Sequence, residues 1–205
     1  MTGLRARQKA ERKQKIEQAA KALVEEKGFT LTTIEEVAAK ALVSPATVYN
    51  YYGNKGELLL ALVAKGEEGT KARLSDVETR AGNEAPEVLL ADIICSNMRD
   101  TLAYLSREVW GHVVAYVATT PDPQVGPRYM DAIADDLANA LACALTIYMK
   151  RGILKELDAD RFAYMMTRLE RNHFLGFIYQ KSLTEEDLYQ GVREEIAFLI
   201  EAIKP

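Results

Sequence analysis

Glycine and proline are scarce in this chain, at 12 and 6 of 205 residues, below the roughly 12% of average usage. An antiparallel sandwich or barrel needs turn residues every 8–12 positions or so, and the shortage argues against one. Only two cysteines occur, Cys95 and Cys143, far apart and without CxxC spacing. That argues against a disulfide framework and fits reduced thiols in a cytoplasmic protein. The longest uncharged run, Ala41 to Asn54, contains Pro45 and several polar groups, whereas a spanning helix needs about 20 apolar residues. The N-terminus is charged and leads into an amphipathic stretch, so no secretory leader is expected. No GxSxG, HExxH, Walker A or GxGxxG motif is present, and the chain is not expected to be an enzyme.

The 48% apolar and 27% charged residues are a balance that folds around a core. Charge is unevenly placed. Residues 1–66 hold eleven Lys/Arg against seven Asp/Glu, while the whole chain carries −4. Between positions 1 and 15, Arg5, Arg7, Lys9, Arg12, Lys13 and Lys15 face only Glu11. A basic arm ahead of an acidic body suits contact with phosphates at one end, and equally a solvated helix start.

Ile16, Ala19, Ala20, Leu23 and Val24 recur at helical spacing, and Gly28 provides a stop. Thr32/Glu35 and Thr33/Glu36 both fit a capping box opening a short helix with Ile34, Val37, Ala38 and Ala41 inward. Ser44-Pro45 signals a third helix, ended near Tyr52 by Gly53-Asn54. Three short helices with a tight connection between the second and third describe a helix-turn-helix module. Longer helices are predicted at about 55–81, 86–105, 106–118, 128–151, 160–181 and 184–203. The expected fold is all-α with about nine helices. Residues 1–54 form an N-terminal arm and helix-turn-helix domain, 55–205 a larger helical domain, and the helix at 55–81 connects them.

The stretch from Thr32 to Leu59 resembles the DNA-binding signature of the tetracycline-repressor (TetR) family. The paired Thr32-Thr33, Val43-Ser44, Tyr49, Tyr52, Lys55 and Leu58-Leu59 fall in the family's order. Two positions depart from it: Leu42 stands in the turn and Ala46 early in the third helix, where the family often has glycine. The resemblance implies a third helix that enters the major groove of double-stranded DNA. Pro45, Ala46 and Thr47 are small enough for close approach, and the Ala46 and Thr47 methyls can meet thymine methyl groups. Asn50 can read a base through paired hydrogen bonds or point to solvent. Thr33, Tyr49, Tyr51 and Lys55 are assigned to phosphates. Tyr52 and Val48 read as core, and Thr32 and Ser44 as caps.

The resemblance further implies that the remaining helices dimerise and bind a small-molecule effector. Apolar stripes at Leu188, Val192, Ile196, Leu199, Ile203 and at Phe162, Met165, Met166, Leu169, Gly176, Phe177 place a homodimer contact on the last two helices, about 160–203; both stripes also suit the chain's own core. Candidate pocket residues are Met98, Tyr104, Trp110, Tyr116, Tyr148 and Met165, with Glu108, His112, Asn172 and His173 as polar members. Glu108, His112 and Tyr116 lie at i, i+4, i+8 on one face. No third ligand stands near His112 and Glu108, so no metal is expected, nor any cofactor. These expectations describe a homodimeric transcriptional regulator, a repressor released from a pseudo-palindromic operator by a largely apolar effector. A nonspecific DNA-coating protein is the alternative, weakened by the uncharged third helix.

Overall fold

A computed structural model describes the backbone of residues 2–67 and 74–205. Ten helices are found among the described residues, and no strand: α1 (Thr2–Lys27), α2 (Ile34–Lys40), α3 (Pro45–Tyr52), α4 (Lys55–Glu67), α5 (Leu74–Asn83), α6 (Pro86–Tyr104), α7 (Arg107–Thr119), α8 (Val125–Lys150), α9 (Ala159–Tyr179) and α10 (Glu185–Ala202). The chain packs as two units, Met1–Gly66 with Leu105–Tyr129, and Glu67–Tyr104 with Met130–Pro205. The first unit thus adds α4 and α7 to the three helices expected from the sequence. Whether 55–81 is one continuous helix lies outside the described residues, since α4 is described to Glu67 and α5 from Leu74.

In the first unit the local signals act as physical chemistry requires. Gly28, at φ +83°, ends α1 in a conformation that side chains resist. Of the two possible capping boxes the chain uses Thr33/Glu36: Thr33 Oγ1 accepts from the Glu36 amide at 3.2 Å, and Glu36 accepts from the Thr33 amide at 2.9 Å. Thr32 is instead buried, its hydroxyl donating to the Gly28 carbonyl at 2.9 Å. Ser44 caps α3 with Pro45 in the first turn, and Asn54 Oδ1 accepts from the Glu57 amide at the start of α4. Ile16, Ala20 and Val24 of α1, Ile34 and Val37 of α2, Val48 of α3, and Leu58, Leu59 and Leu62 of α4 are all buried.

Residues 2–15, for which the sequence left a phosphate-contacting arm and a solvated helix start equally open, form the first turns of α1. The segment is rich in Arg, Lys, Gln and Glu, which favour helix, and Arg7 pairs with Glu11 one turn on at 2.9 Å.

In the second unit α6 packs against α10 and α9. Leu188, Val192, Ile196 and Ile200 of α10 are fully or almost fully buried. Of the α10 stripe offered for a partner subunit, Leu188, Val192 and Ile196 therefore face the chain's own core, because α6 supplies a matching face of Leu90, Ile94 and Met98, also buried, while Leu199 and Ile203 are half-buried. Tyr148 of α8 is fully buried and donates to the Glu84 carbonyl at 3.0 Å. Cys95 is buried, and burial holds its thiol above the ordinary pKa. Among the described residues no helix is long and apolar enough to cross a membrane.

Candidate nucleic-acid interface

Helix α3 has two inward anchors and an open edge. Val48 is fully buried and Tyr52 nearly so, its hydroxyl donating to Glu17 Oε1 at 3.1 Å. Glu17, a carboxylate only 5% exposed, also accepts from Lys65 at 3.2 Å and lies 3.7 Å from Lys13. Burial, together with the Glu17 charge, pushes the Tyr52 phenol well above its usual range. This network ties α1, α3 and α4 together.

The opposite edge of α3 is exposed at Pro45, Ala46, Tyr49 and Asn50. Thr47 is half-buried, its hydroxyl 2.9 Å from Ser44 Oγ. Small residues at the N-terminal turn let backbone approach a base edge, with one amide, Asn50, for hydrogen bonding. Tyr49 lies 47% exposed, its phenol available to an anion. Leu42, in the turn between α2 and α3, takes φ +57° and is 89% exposed.

Three of the residues assigned to phosphates are engaged within the chain. Thr33 Oγ1 serves the capping box. Tyr51 donates to the Lys9 carbonyl at 3.4 Å, leaning on α1. Lys55 donates to the Thr30 carbonyl at 3.2 Å and lies 4.2 Å from the centre of the Phe29 ring. Burial, with Lys27 nearby, lowers the Lys55 pKa.

The pocket residues fall into different surroundings. Trp110 is buried in the first unit. The polar line on α7 faces the helix-turn-helix rather than a described cavity. Glu108 lies beside Gly28, where a Cβ would stand 3.2 Å from its Oε1. The His112 ring is 5.1 Å from that of Phe29, and its Nε2 is 3.4 Å from Thr30 Oγ1. Tyr116 donates to Glu57 Oε1 at 3.2 Å and lies 3.3 Å from Asn54 Oδ1. Arg128 grips Glu57 through two nitrogens at 3.1 Å each and Asp122 at 3.2 Å. In the second unit Met98 and Tyr148 are buried and Tyr104 is half-buried, but Met165 is 55% exposed and Asn172 exposed. Those two project outward because α9 buries Ala163, Met166 and Thr167 instead. His173 Nε2 lies 3.1 Å from Glu195 Oε2 of α10. Glu17, Glu57 and Arg128 were not anticipated; a lone acid beside the apolar Ile16 stripe was the available signal for Glu17.

Residues 16–62 match the family model described as "Bacterial regulatory proteins, tetR family". The chain is 33% identical over 107 residues to the Probable HTH-type transcriptional regulator YttP of Bacillus subtilis, a match covering 49% of this chain and 52% of that one. It thus spans about half the length of that curated relative. Solved structures share the fold. Thermus thermophilus FadR, a TetR-family transcriptional repressor in complex with lauroyl-CoA, superposes with TM-score 0.69 at 22% identity, covering 92% of this chain and 93% of that one. A TetR transcription regulator from Haloarcula marismortui gives 0.66 at 18% identity, covering 96% and 100%. Bacillus subtilis FadR in complex with stearoyl-CoA gives 0.59 at 20%, covering 93% and 98%. The capped helix-turn-helix lies inside the matched segment, and over those residues the chain is similar to the tetR family of bacterial regulatory proteins.

Proposed function

We propose that the protein is a homodimeric repressor that reads a pseudo-palindromic operator with α3. The observation that carries this is the two-sided build of α3: Val48 and Tyr52 hold it, while Pro45, Ala46, Tyr49 and Asn50 stand open along one edge. Pro45, Ala46, Thr47 and Asn50 meet base edges and Tyr49 a phosphate; Thr33, Tyr51 and Lys55 position the reading head through the contacts described and reach phosphates at its margin. Two such heads fit half-sites about one helical turn, ~34–36 Å, apart.

The dimer forms through α9 and α10. With Leu188, Val192 and Ile196 committed inward, the large apolar residues left open on these helices are Tyr164, Met165 and Tyr179 on α9, and Phe198 on α10, which is 76% exposed. Exposed apolar groups of this size on neighbouring helices support a partner surface. The effector is a small, largely apolar molecule, and the fold shared with FadR proteins solved with lauroyl-CoA and stearoyl-CoA makes acyl-CoA thioesters the first probes. It releases DNA by binding best to a conformation whose heads no longer match the operator, so its differential affinity sets the response. The Tyr116–Glu57–Arg128 contacts on α4 are where such a change reaches the reading head.

Selection of purified protein against a randomised duplex pool, followed by sequencing, tests this reading. An enriched inverted repeat supports it. Retention without enrichment sinks it in favour of nonspecific coating, and no retention removes DNA altogether. Lauroyl-CoA titrated onto the enriched duplex should release it; an unaltered complex rejects that effector class.

A further inference from the structure

The face of α1 that packs on the helix-turn-helix changes character along its length. From Ile16 onward it is apolar, with Ile16, Ala20 and Val24 buried. On a helix of 3.6 residues per turn, Lys9, Arg12 and Lys13 fall within about 60° of Ile16 on that same face. Where α1 outruns the core, the stripe that would continue it is therefore basic. All three residues are exposed. Lys13 is 3.7 Å from Glu17, while no carboxylate pairs with Lys9 or Arg12 among the described residues. The one acid of the segment, Glu11, pairs with Arg7 on the far side of the helix.

This basic face is also held in place. Tyr51 of α3 donates to the Lys9 carbonyl at 3.4 Å. The hydrogen bond fixes the extension beside the helix whose exposed edge carries Tyr49 and Asn50. A solvated helix start has no need of a tether to α3, nor of a basic turn on the face that is apolar one turn later. Within a chain of net charge −4, this is a concentrated cationic surface.

We infer that the N-terminal extension of α1 is a second, sequence-independent DNA contact, in which Lys9 and Arg12, assisted by Lys13, bind backbone phosphates flanking the groove entered by α3. The inference rests on the proposed DNA-binding function. Tyr51 then acts as a positioning residue that sets the extension against α3.

Each phosphate neutralised on B-DNA contributes about 0.9 to the slope of log K against log salt. The test uses the full chain and a fluorescently labelled random-sequence duplex, titrated at several salt concentrations. The Lys9→Gln/Arg12→Gln variant should lower the slope by about 1.8 per bound protomer. Arg7→Gln, which removes one charge from the far face, should leave it unchanged, whereas Arg12→Gln alone should lower it by about 0.9. Tyr51→Phe should lower the slope only in part, with helicity and melting temperature retained. A double variant with the parent's slope overturns the inference while DNA binding by α3 stands. Equal losses from Arg7→Gln and Arg12→Gln overturn it too, because net charge rather than the face would then be responsible. A parent protein that shows no salt-dependent binding overturns both readings.

Discussion

Leu42 is the one non-glycine residue with positive φ among those described, at +57°. The left-handed conformation costs a side-chain-bearing residue roughly 1–2 kcal/mol. At 89% exposure the side chain recovers almost nothing by burial. Leu42→Gly should therefore raise stability in urea unfolding by about 0.5–1 kcal/mol, the relieved strain being partly offset by the greater unfolded-chain entropy of glycine. Unchanged or lower stability would show that the turn holds Leu42 without strain. Glu36 offers a pH test. Hydrogen bonds from Lys27, and then from the Thr33 amide and hydroxyl, lower its pKa from 4.5 to about 2. Because the folded value lies below the unfolded one, its contribution is full above about pH 4.5 and fades as pH falls through about 2. Glu36→Gln should flatten the acid side of the stability profile in that window; a parallel displacement of the whole curve would contradict this. Both features lie partly within reach of the sequence. The capping pair was one of two alternatives, and burial of Thr32 decides between them. The turn position was legible only as a place where glycine is usual.

At the scale of elements, the docking of α7 on α4 depends on a glycine. A Cβ at Gly56 would overlap the Tyr116 ring. Gly56→Ala should destabilise the unit even though alanine is the better helix former. Combined with Tyr116→Ala, the loss should be smaller than the sum of the single losses, with a coupling of roughly 0.5–3 kcal/mol. Additive effects in that cycle would mean that the ring moves aside without penalty. The polar line Glu108, His112, Tyr116 was readable as a line from its spacing. Its destination was not, because periodicity tells which side chains share a face and not what the face meets. The same limit explains α10. Leu188, Val192 and Ile196 form an unmistakable stripe, yet only the position of α6 shows that it is covered within the chain. The start of α3 was legible from its Ser44-Pro45 cap, whereas the caps Asp158 and Thr184 of α9 and α10 are seen only in the structure.

For the whole molecule, the proposed dimer predicts that Phe198→Asp yields monomers in sedimentation at concentrations where the parent is dimeric, with the melting curve of each unit still cooperative. A dimer that persists would move the partner surface away from α10. The helix-turn-helix was legible because its function demands a fixed order of caps, turn and aromatic residues, from Thr33 to Lys55. The larger helical part carries no such grammar: many apolar residue combinations build a helical core, so Met165 and Asn172 were indistinguishable in sequence from inward neighbours. The central claim is that the exposed edge of α3 reads DNA sequence. Repeating the duplex selection with Thr47→Ala and with Asn50→Ala tests it most directly. The account predicts the same half-site spacing as the parent, with preference relaxed at one position in each half-site. Enriched motifs identical to the parent's in both variants would contradict it.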